Sequence, residues 1–341
     1  MGGQNSVPHL RRNRRNYVFQ AAIEYRYALV EIIGDRYDKL AMQFSTNDPT
    51  IMHVDINSCF ATIEQQANPL LRGKPVVVAA YVENHGCILA ASVEAKKLGI
   101  KTCMRVREAK EIYKDLVVLA PDPEKYRFVN RKLRMILESY TPYVSVESID
   151  EMVMDFRGSP KILMGEEIVN QMLIVAKEIK ERIRNEIGEW ITVSVGIAPN
   201  RYLAKVASGL KKPDGLDRIT KDNIESILSV LRLEDLCGIK EGNSARLRAS
   251  GITTPLAMFR VSPKALQLAF RSIVGYHWWL RLHGYDLSPP VGGSGQETEQ
   301  KTFGQSYALG KPHAPDDPRL RQILSQLVMK MARRLRKDGF T

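Results

Sequence analysis

Between residues 51 and 198 the apolar positions alternate between the period of a strand and the period of a helix. Ile51-Met-His-Val-Asp55 reads as a short buried strand ending on an acid, and Asn57 or Ser58 can cap a helix that runs to Asn68 and stops at Pro69. A mixed segment follows, with strands predicted at 75–80 and 87–91, a helix between Ser92 and Gly99, another at 106–113, and a strand at 116–120. The pattern then regularises: helix 124–139, strands 143–148 and 152–156, a long amphipathic helix 165–187, and strand 191–198. Counted with the first strand this is β-α-β-β-α-β, the ferredoxin-like order of an α+β protein, with the mixed segment inserted between the first strand and the first helix. From residue 211 the chain turns helical: Lys212-Pro-Asp-Gly215 signals a turn, and helices are predicted near 223–231, at 244–249 and across 263–282. Residues 287–300 read as a linker, 302–309 as one strand and 318–337 as one amphipathic helix. Residues 1–50 hold one helix candidate, 17–33, without an assignable role.

Composition sharpens this. At 341 residues and 44% apolar content, the chain can bury a core spread over two or more domains. A net charge of +12 suits a polyanionic partner, since each phosphate neutralised by Lys or Arg releases counterions. Arg11, Arg12, Arg14 and Arg15, the densest basic cluster, read as a DNA contact or a solvated tail, the tail being the favoured reading. Cys59, Cys87, Cys103 and Cys237 are scattered without a CxxC pair, which argues against a zinc site or a disulfide framework and fits a reducing cytoplasm. No apolar run reaches the length of a membrane span and no signal peptide is recognisable, so a soluble cytoplasmic protein is expected.

In the ferredoxin-like frame Asp150 and Glu151 fall at the tip of the central hairpin, whose inner strand should neighbour the one ending in Asp55. Three carboxylates then converge at one sheet edge, where they repel unless a cation joins them. Oxygen donors without neighbouring His or Cys suit magnesium or manganese. Two such ions roughly 3.5–4 Å apart can stabilise the attacking and leaving oxygens of a displacement at phosphorus. On spacing alone, ordinary turn acids are the commoner reading of Asp150 and Glu151.

Ser148-Ile-Asp-Glu151 and His53-Val-Asp-Ile-Asn-Ser-Cys-Phe-Ala61 resemble the two metal-binding motifs of the Y-family, or lesion-bypass, DNA polymerases. Val195-Gly-Ile-Ala-Pro-Asn-Arg-Tyr-Leu-Ala-Lys205, followed by Lys212-Pro-Asp-Gly215, is a third match, in order and at family-like separations. The resemblance implies a palm at 51–58 and 124–212, fingers at 59–123 and a thumb at 213–286. It implies that two magnesium ions, or manganese, sit on Asp55, Asp150 and Glu151, with Asp55 and Asp150 touching both and Glu151 the catalytic one. The carbonyl of Ile56 would meet the nucleotide-bound ion, Lys205 the triphosphate, and Phe60 would be the steric gate that excludes a 2′-hydroxyl. The implied partners are primer-template DNA and a deoxynucleoside triphosphate, and the implied activity is low-fidelity, poorly processive translesion synthesis without proofreading, nucleoid-associated when on DNA.

Some residues depart from the family pattern. Many members carry Tyr and Arg where this chain has Val93 and Lys96, so a forked phosphate contact becomes a point charge if Lys96 takes it up. This stretch is closer in wording to the polymerase V catalytic subunit, whereas the palm motifs fit polymerase IV as well. Asn57 stands where an acid is common. The segment from Leu236 to Asn243 resembles the thumb helix-hairpin-helix, with Gly238 and Gly242 as backbone donors to a DNA phosphate, although Lys240 replaces the usual second glycine. Lys301 to Leu309 resembles the opening strand of the little finger, of which one strand and one helix are expected here, so that an incomplete little finger and no clamp-binding carboxy-terminal peptide are anticipated. Two other readings stand beside the polymerase: a catalytically silent DNA-binding accessory subunit, and a palm-fold nucleotide cyclase.

Overall fold

The computed structural model describes residues 44–45, 47–157, 159, 167–287, 303–307, 309 and 312–340; the predicted helix at 17–33, the arginine cluster and the linker beyond residue 287 lie outside the described residues. The chain divides into two compact units, residues 50–218 with 288–341, and residues 1–49 with 219–287.

In the first unit β1 (Ile51–Ile56) leads into α1 (Cys59–Ala67). Next come β2 (Val76–Ala79), β3 (Ile88–Ala91), α2 (Val93–Lys97), α3 (Val106–Ile112) and β4 (Val117–Leu119). The chain continues through α4 (Pro123–Glu138), β5 (Val144–Val146), β6 (Glu151–Asp155), α5 (Ile168–Glu186), β7 (Val193–Ala198), α6 (Arg201–Gly209) and β8 (Leu216–Arg218). The larger sheet has the order β5-β6-β1-β7-β8, with β1 antiparallel to both β6 and β7, which is the ferredoxin-like arrangement extended by one strand. That extra strand, β8, pairs parallel with β7; its three residues are too few to show an alternation, and the sequence reading had only a turn before it. The inserted residues form a second sheet, β3-β2-β4, with its own core around Val77, Ile88, Ile100 and Val106.

β1 and β7 are buried along their whole length, so both faces of the sheet are covered. Met52, Val54 and Ile56 pack with Leu133 and Ile136 of α4 and Met172 and Ile179 of α5. By the alternation of a strand, Ile51, His53 and Asp55 face the other way, where the Ser208 hydroxyl of α6 meets the His53 ring. Ser58, offered by the sequence as a helix cap, does not cap: it is left-handed at φ 53°, and its hydroxyl makes no capping bond. Asn57 turns instead to β7, donating to Thr192 Oγ1 (3.1 Å) and accepting from Ser194 Oγ (2.8 Å).

The second unit contains α7 (Ile224–Val230), α8 (Glu241–Ala249), α9 (Pro255–Arg260), α10 (Pro263–Phe270) and α11 (Val274–Leu282). The single helix predicted across 263–282 is two, because Arg271 adopts a left-handed conformation and ends α10. The apolar period runs on through the break since both helices bury a face. At Gly275 a Cβ would lie 2.1 Å from the Leu266 carbonyl oxygen, so glycine is what lets α11 fold back onto α10. α9, capped by Thr254 with Pro255 in its first turn, went unpredicted. His283 is stacked on Phe259 and Trp279, and burial holds its imidazole neutral with a pKa near 4.

At the carboxy-terminal end α12 (Pro318–Lys337) forms as predicted. Of the strand predicted at 302–309, the described residues 303–307 and 309 are irregular, with no strand partner among the described residues. An isolated extended segment has no ladder to stabilise it. No described helix is long and apolar enough to cross a membrane.

Candidate functional site

A cavity in the first unit is lined by Asp55, Ile56, Phe60, Lys96, Asp150 and Glu151 together with Lys212. Its acidic side is built by strand pairing. Asp55 and Glu151 stand directly opposite each other on β1 and β6, and the Ile56 N–H donates to the Asp150 carbonyl at 2.9 Å. The hairpin tip is tied from within and from behind. The Ser148 hydroxyl donates to Asp150 Oδ1 at 2.5 Å and accepts from the Glu151 N–H at 3.1 Å. Asn130 of α4 donates to the carbonyls of Ile149 (2.9 Å) and Ser148 (3.4 Å), a role with no signal in the sequence beyond a polar residue on a helix.

Lysines answer the acids. Lys212 Nζ lies 2.6 Å from Asp55 Oδ2, and Lys205 Nζ lies 2.5 Å from Glu151 Oε2. Lys96 donates to Ser58 Oγ at 2.9 Å on the opposite wall. Burial raises the Asp55 pKa above its usual value, against the opposing pull of Lys212. Desolvation and then the Lys212 ammonium lower that of Lys96. Lys205 is placed by Gly196 of β7: a Cβ there would lie 2.0 Å from the Ala204 carbonyl oxygen and 2.2 Å from the Ser208 nitrogen, so α6 rests backbone-on-backbone against the sheet. Lys212, read from sequence only as part of a turn, opens the Lys-Pro-Asp-Gly turn, and that turn is held at Asp214 by Lys180 of α5. The Lys180 ammonium donates to the carbonyls of Val193 (2.9 Å) and Asp214 (2.6 Å) and to Asp214 Oδ1 (2.7 Å).

His53 lies beneath this pair. Its Nδ1 is 3.1 Å from Ser208 Oγ and its Nε2 is 3.9 Å from Glu151 Oε2. Burial first, and the Lys205 and Lys212 charges second, hold its pKa near 3, so the ring is neutral over any working pH. The strand alternation that pairs His53 with Asp55 on one face was available from the sequence.

Among the described residues, no three His, Cys, Asp or Glu side chains stand together as a ligating group. Asp55 and Glu151 each face an ammonium and Asp150 faces a hydroxyl. The donor chemistry nevertheless fits a hard divalent cation, because the acids offer carboxylate oxygens only and their negative charge already draws cationic partners.

Phe60, half-buried on α1, borders the same cavity and stacks on Tyr126 of α4 with ring centroids 4.3 Å apart and planes 11° from parallel. In the second unit Gly238 has φ +89°, with the Trp278 ring 3.2 Å from where its Cβ would be. Gly242 lies in the first turn of α8, with open space beside it, and Asn243 donates to the Gly238 carbonyl at 3.1 Å.

The protein family described as impB/mucB/samB matches residues 54–209, the stretch that contains Asp55, Phe60, Lys96, Asp150, Glu151 and Lys205. DNA polymerase IV of Alkalilimnicola ehrlichii is 30% identical over 289 residues, 85% of this chain and 78% of that protein. The chain belongs to the Y family of DNA polymerases. DNA polymerase IV 1 of Bacillus subtilis is 38% identical over 205 residues, 60% of this chain; the chain spans about half (47%) of that relative's length. A solved insertion ternary complex of Dbh DNA polymerase superposes with a TM-score of 0.62 at 27% identity, covering 71% of this chain and 69% of the other. Y-family polymerases use divalent metal ions, in keeping with the carboxylate donors at the edge of β1 and β6.

Proposed function

We propose that this chain is a translesion DNA polymerase that transfers a nucleotide from a deoxynucleoside triphosphate to a primer 3′-hydroxyl, with Asp55, Asp150 and Glu151 holding two magnesium ions or, in their place, manganese. The observation that carries this reading is the meeting of those three acids at one sheet edge, in a cavity that also presents Ile56, Phe60 and Lys96. When bound, the ions neutralise charge on the attacking and leaving oxygens. The chain's own residues do the rest. Lys205 and Lys212 exchange their carboxylates for phosphate oxygens of the incoming triphosphate, and Lys96 approaches the same group from the α2 side. Phe60 presents its ring to the sugar and excludes a 2′-hydroxyl.

In this reading the five-stranded sheet with α4 and α5 is the palm, the inserted three-stranded sheet the fingers, and the helices of the second unit the thumb. The Gly238–Gly242 turn offers backbone N–H groups to a DNA phosphate. The setting is the bacterial cytoplasm, on nucleoid DNA. Primer extension with magnesium, comparing the parent chain with Asp150→Ala, tests the proposal. Synthesis by the parent and a large loss of it in the variant is expected; no synthesis by the parent would point to the accessory-subunit reading instead.

A further inference from the structure

Tyr126 has no place in the chemistry described so far, yet it is one of the most firmly held side chains beside the cavity. It is 3% exposed, and Val129 and Leu133 of its own helix belong to the same buried cluster. Its ring lies flat behind Phe60, 4.3 Å away and 11° from parallel. Its hydroxyl donates to Glu64 Oε1 at 3.0 Å, and Lys125 Nζ donates to the other carboxylate oxygen at 2.6 Å. Glu64 is itself buried, at 8% exposure, on α1 one helical turn beyond Phe60. Phe60, Tyr126 and Glu64 therefore close a loop between α1 and α4: the ring that borders the cavity is backed by a second ring, and the second ring is anchored to the helix that carries the first.

We propose that Tyr126 is the positioning residue that makes Phe60 selective for the sugar of the nucleotide. A ring excludes a hydroxyl only if it cannot retreat. Phe60 has two freely turning side-chain bonds, and half-burial alone would let it rotate or sink when a larger sugar presses on it. The flat contact with Tyr126 removes the space into which it would retreat, and the phenol–carboxylate bond keeps the Tyr126 ring from turning away from α1. Burial raises the phenol pKa well above the ordinary value, so the hydroxyl remains a donor to Glu64 throughout the working range. Aromatic neighbours most often serve only to fill a core. Here the tether of the hydroxyl to the gate's own helix points to a positional requirement that filling volume would not need.

The inference rests on the reading of Phe60 as the gate, and the experiment separates the two. Full-length parent, Phe60→Ala, Tyr126→Ala, Tyr126→Leu and Tyr126→Phe are compared for single-nucleotide insertion of dCTP and of CTP opposite a template guanine. The readout is the ratio of kcat/KM for the two sugars, which a general loss of folded protein leaves unmoved. Tyr126→Ala and Tyr126→Leu are expected to raise CTP use relative to dCTP at least tenfold, with dCTP insertion still measurable. Tyr126→Phe, which keeps the stacked ring, is expected to stay within about threefold of the parent. Should Phe60→Ala relax the ratio while both Tyr126→Leu and Tyr126→Ala leave it within twofold of the parent, the positioning role is overturned and the gate stands. An unchanged ratio in Phe60→Ala overturns the gate, and this inference with it. Tyr126→Leu covers the case in which the alanine variant does not fold, because it keeps most of the buried volume without the flat contact.

Discussion

The cavity has two walls of opposite character. On the β1–β6 wall three acids are each held by a partner that can be exchanged: Asp55 by Lys212, Glu151 by Lys205, Asp150 by the Ser148 hydroxyl. On the α1 wall Phe60 is held by a stacked ring that is buried and tethered. Under the proposed function the difference follows from the tasks. Groups that bind ions and phosphates must give up one set of opposite charges for another, whereas a surface that judges shape must not give way. Ion pairs at a partly open site are reversible because solvent and salt compete for them, and close packing is stiff because its neighbours have no free volume.

The largest effect should come from the charged wall. Asp150→Ala is expected to lower kcat for primer extension by about 10³-fold, corresponding to roughly 4 kcal/mol of lost transition-state stabilisation, with an unchanged far-ultraviolet circular dichroism spectrum. A loss below about tenfold would mean the acid is not at the reacting centre. On the packed wall, Tyr126→Ala is expected to cost about 3 kcal/mol in urea unfolding through the cavity it leaves; a cost under ~1 kcal/mol would show that the wall can collapse and is not stiff. Lys212→Ala should raise KM for the deoxynucleoside triphosphate by roughly tenfold or more, in line with the loss of a hydrogen bond to a charged group. If kcat fell with no change in KM, Lys212 would belong with the chemistry and not with binding.

The smallest expected effect sets the two walls apart in sign. Burial raises the folded-state pKa of Asp55 above its ordinary value of 3.8, so the folded chain holds that proton more tightly than the unfolded one. Its contribution is favourable below the unfolded pKa and is lost as pH rises through the folded value, so at neutral pH the ionised carboxylate is a cost. Asp55→Asn should therefore raise the Tm of the metal-free protein at pH 7, by about 2–4 °C for a gain near 1 kcal/mol, and the gain should shrink as the pH is lowered toward 4. A lower Tm at pH 7 would show that the pair with Lys212 outweighs the burial of Asp55.

The sequence made strands β1 to β7, the hairpin and the nearness of Asp55, Asp150 and Glu151 legible, because strand alternation and an acid at a strand end are local signals. Lys212 and Lys180 were not legible. Their partners lie far away in the chain, and a lysine beside a Pro-Asp-Gly turn reads as solvated. Tyr126 was hidden for the opposite reason: a tyrosine at helical spacing among Val129 and Leu133 reads as core, and only its stacking on the Phe60 ring and its bond to the Glu64 carboxylate distinguish it. The false helix at 263–282 shows the limit of periodicity, since two packed helices share one apolar rhythm and only the left-handed backbone at Arg271 separates them.

The seam between β7 and α6 has a kinetic consequence. With no room at Gly196 for even a methyl group, the backbone around Lys205 is locked to the strand beside Asp55 and shares its thermal motion. Adjustment of the ammonium must then come from the four methylenes of its own side chain, on the picosecond-to-nanosecond scale of rotamer hops. Slower closing motions, on the scale that gates turnover, have to arise elsewhere in the chain, and amide hydrogen exchange at residues 195–197 should be among the slowest in the molecule.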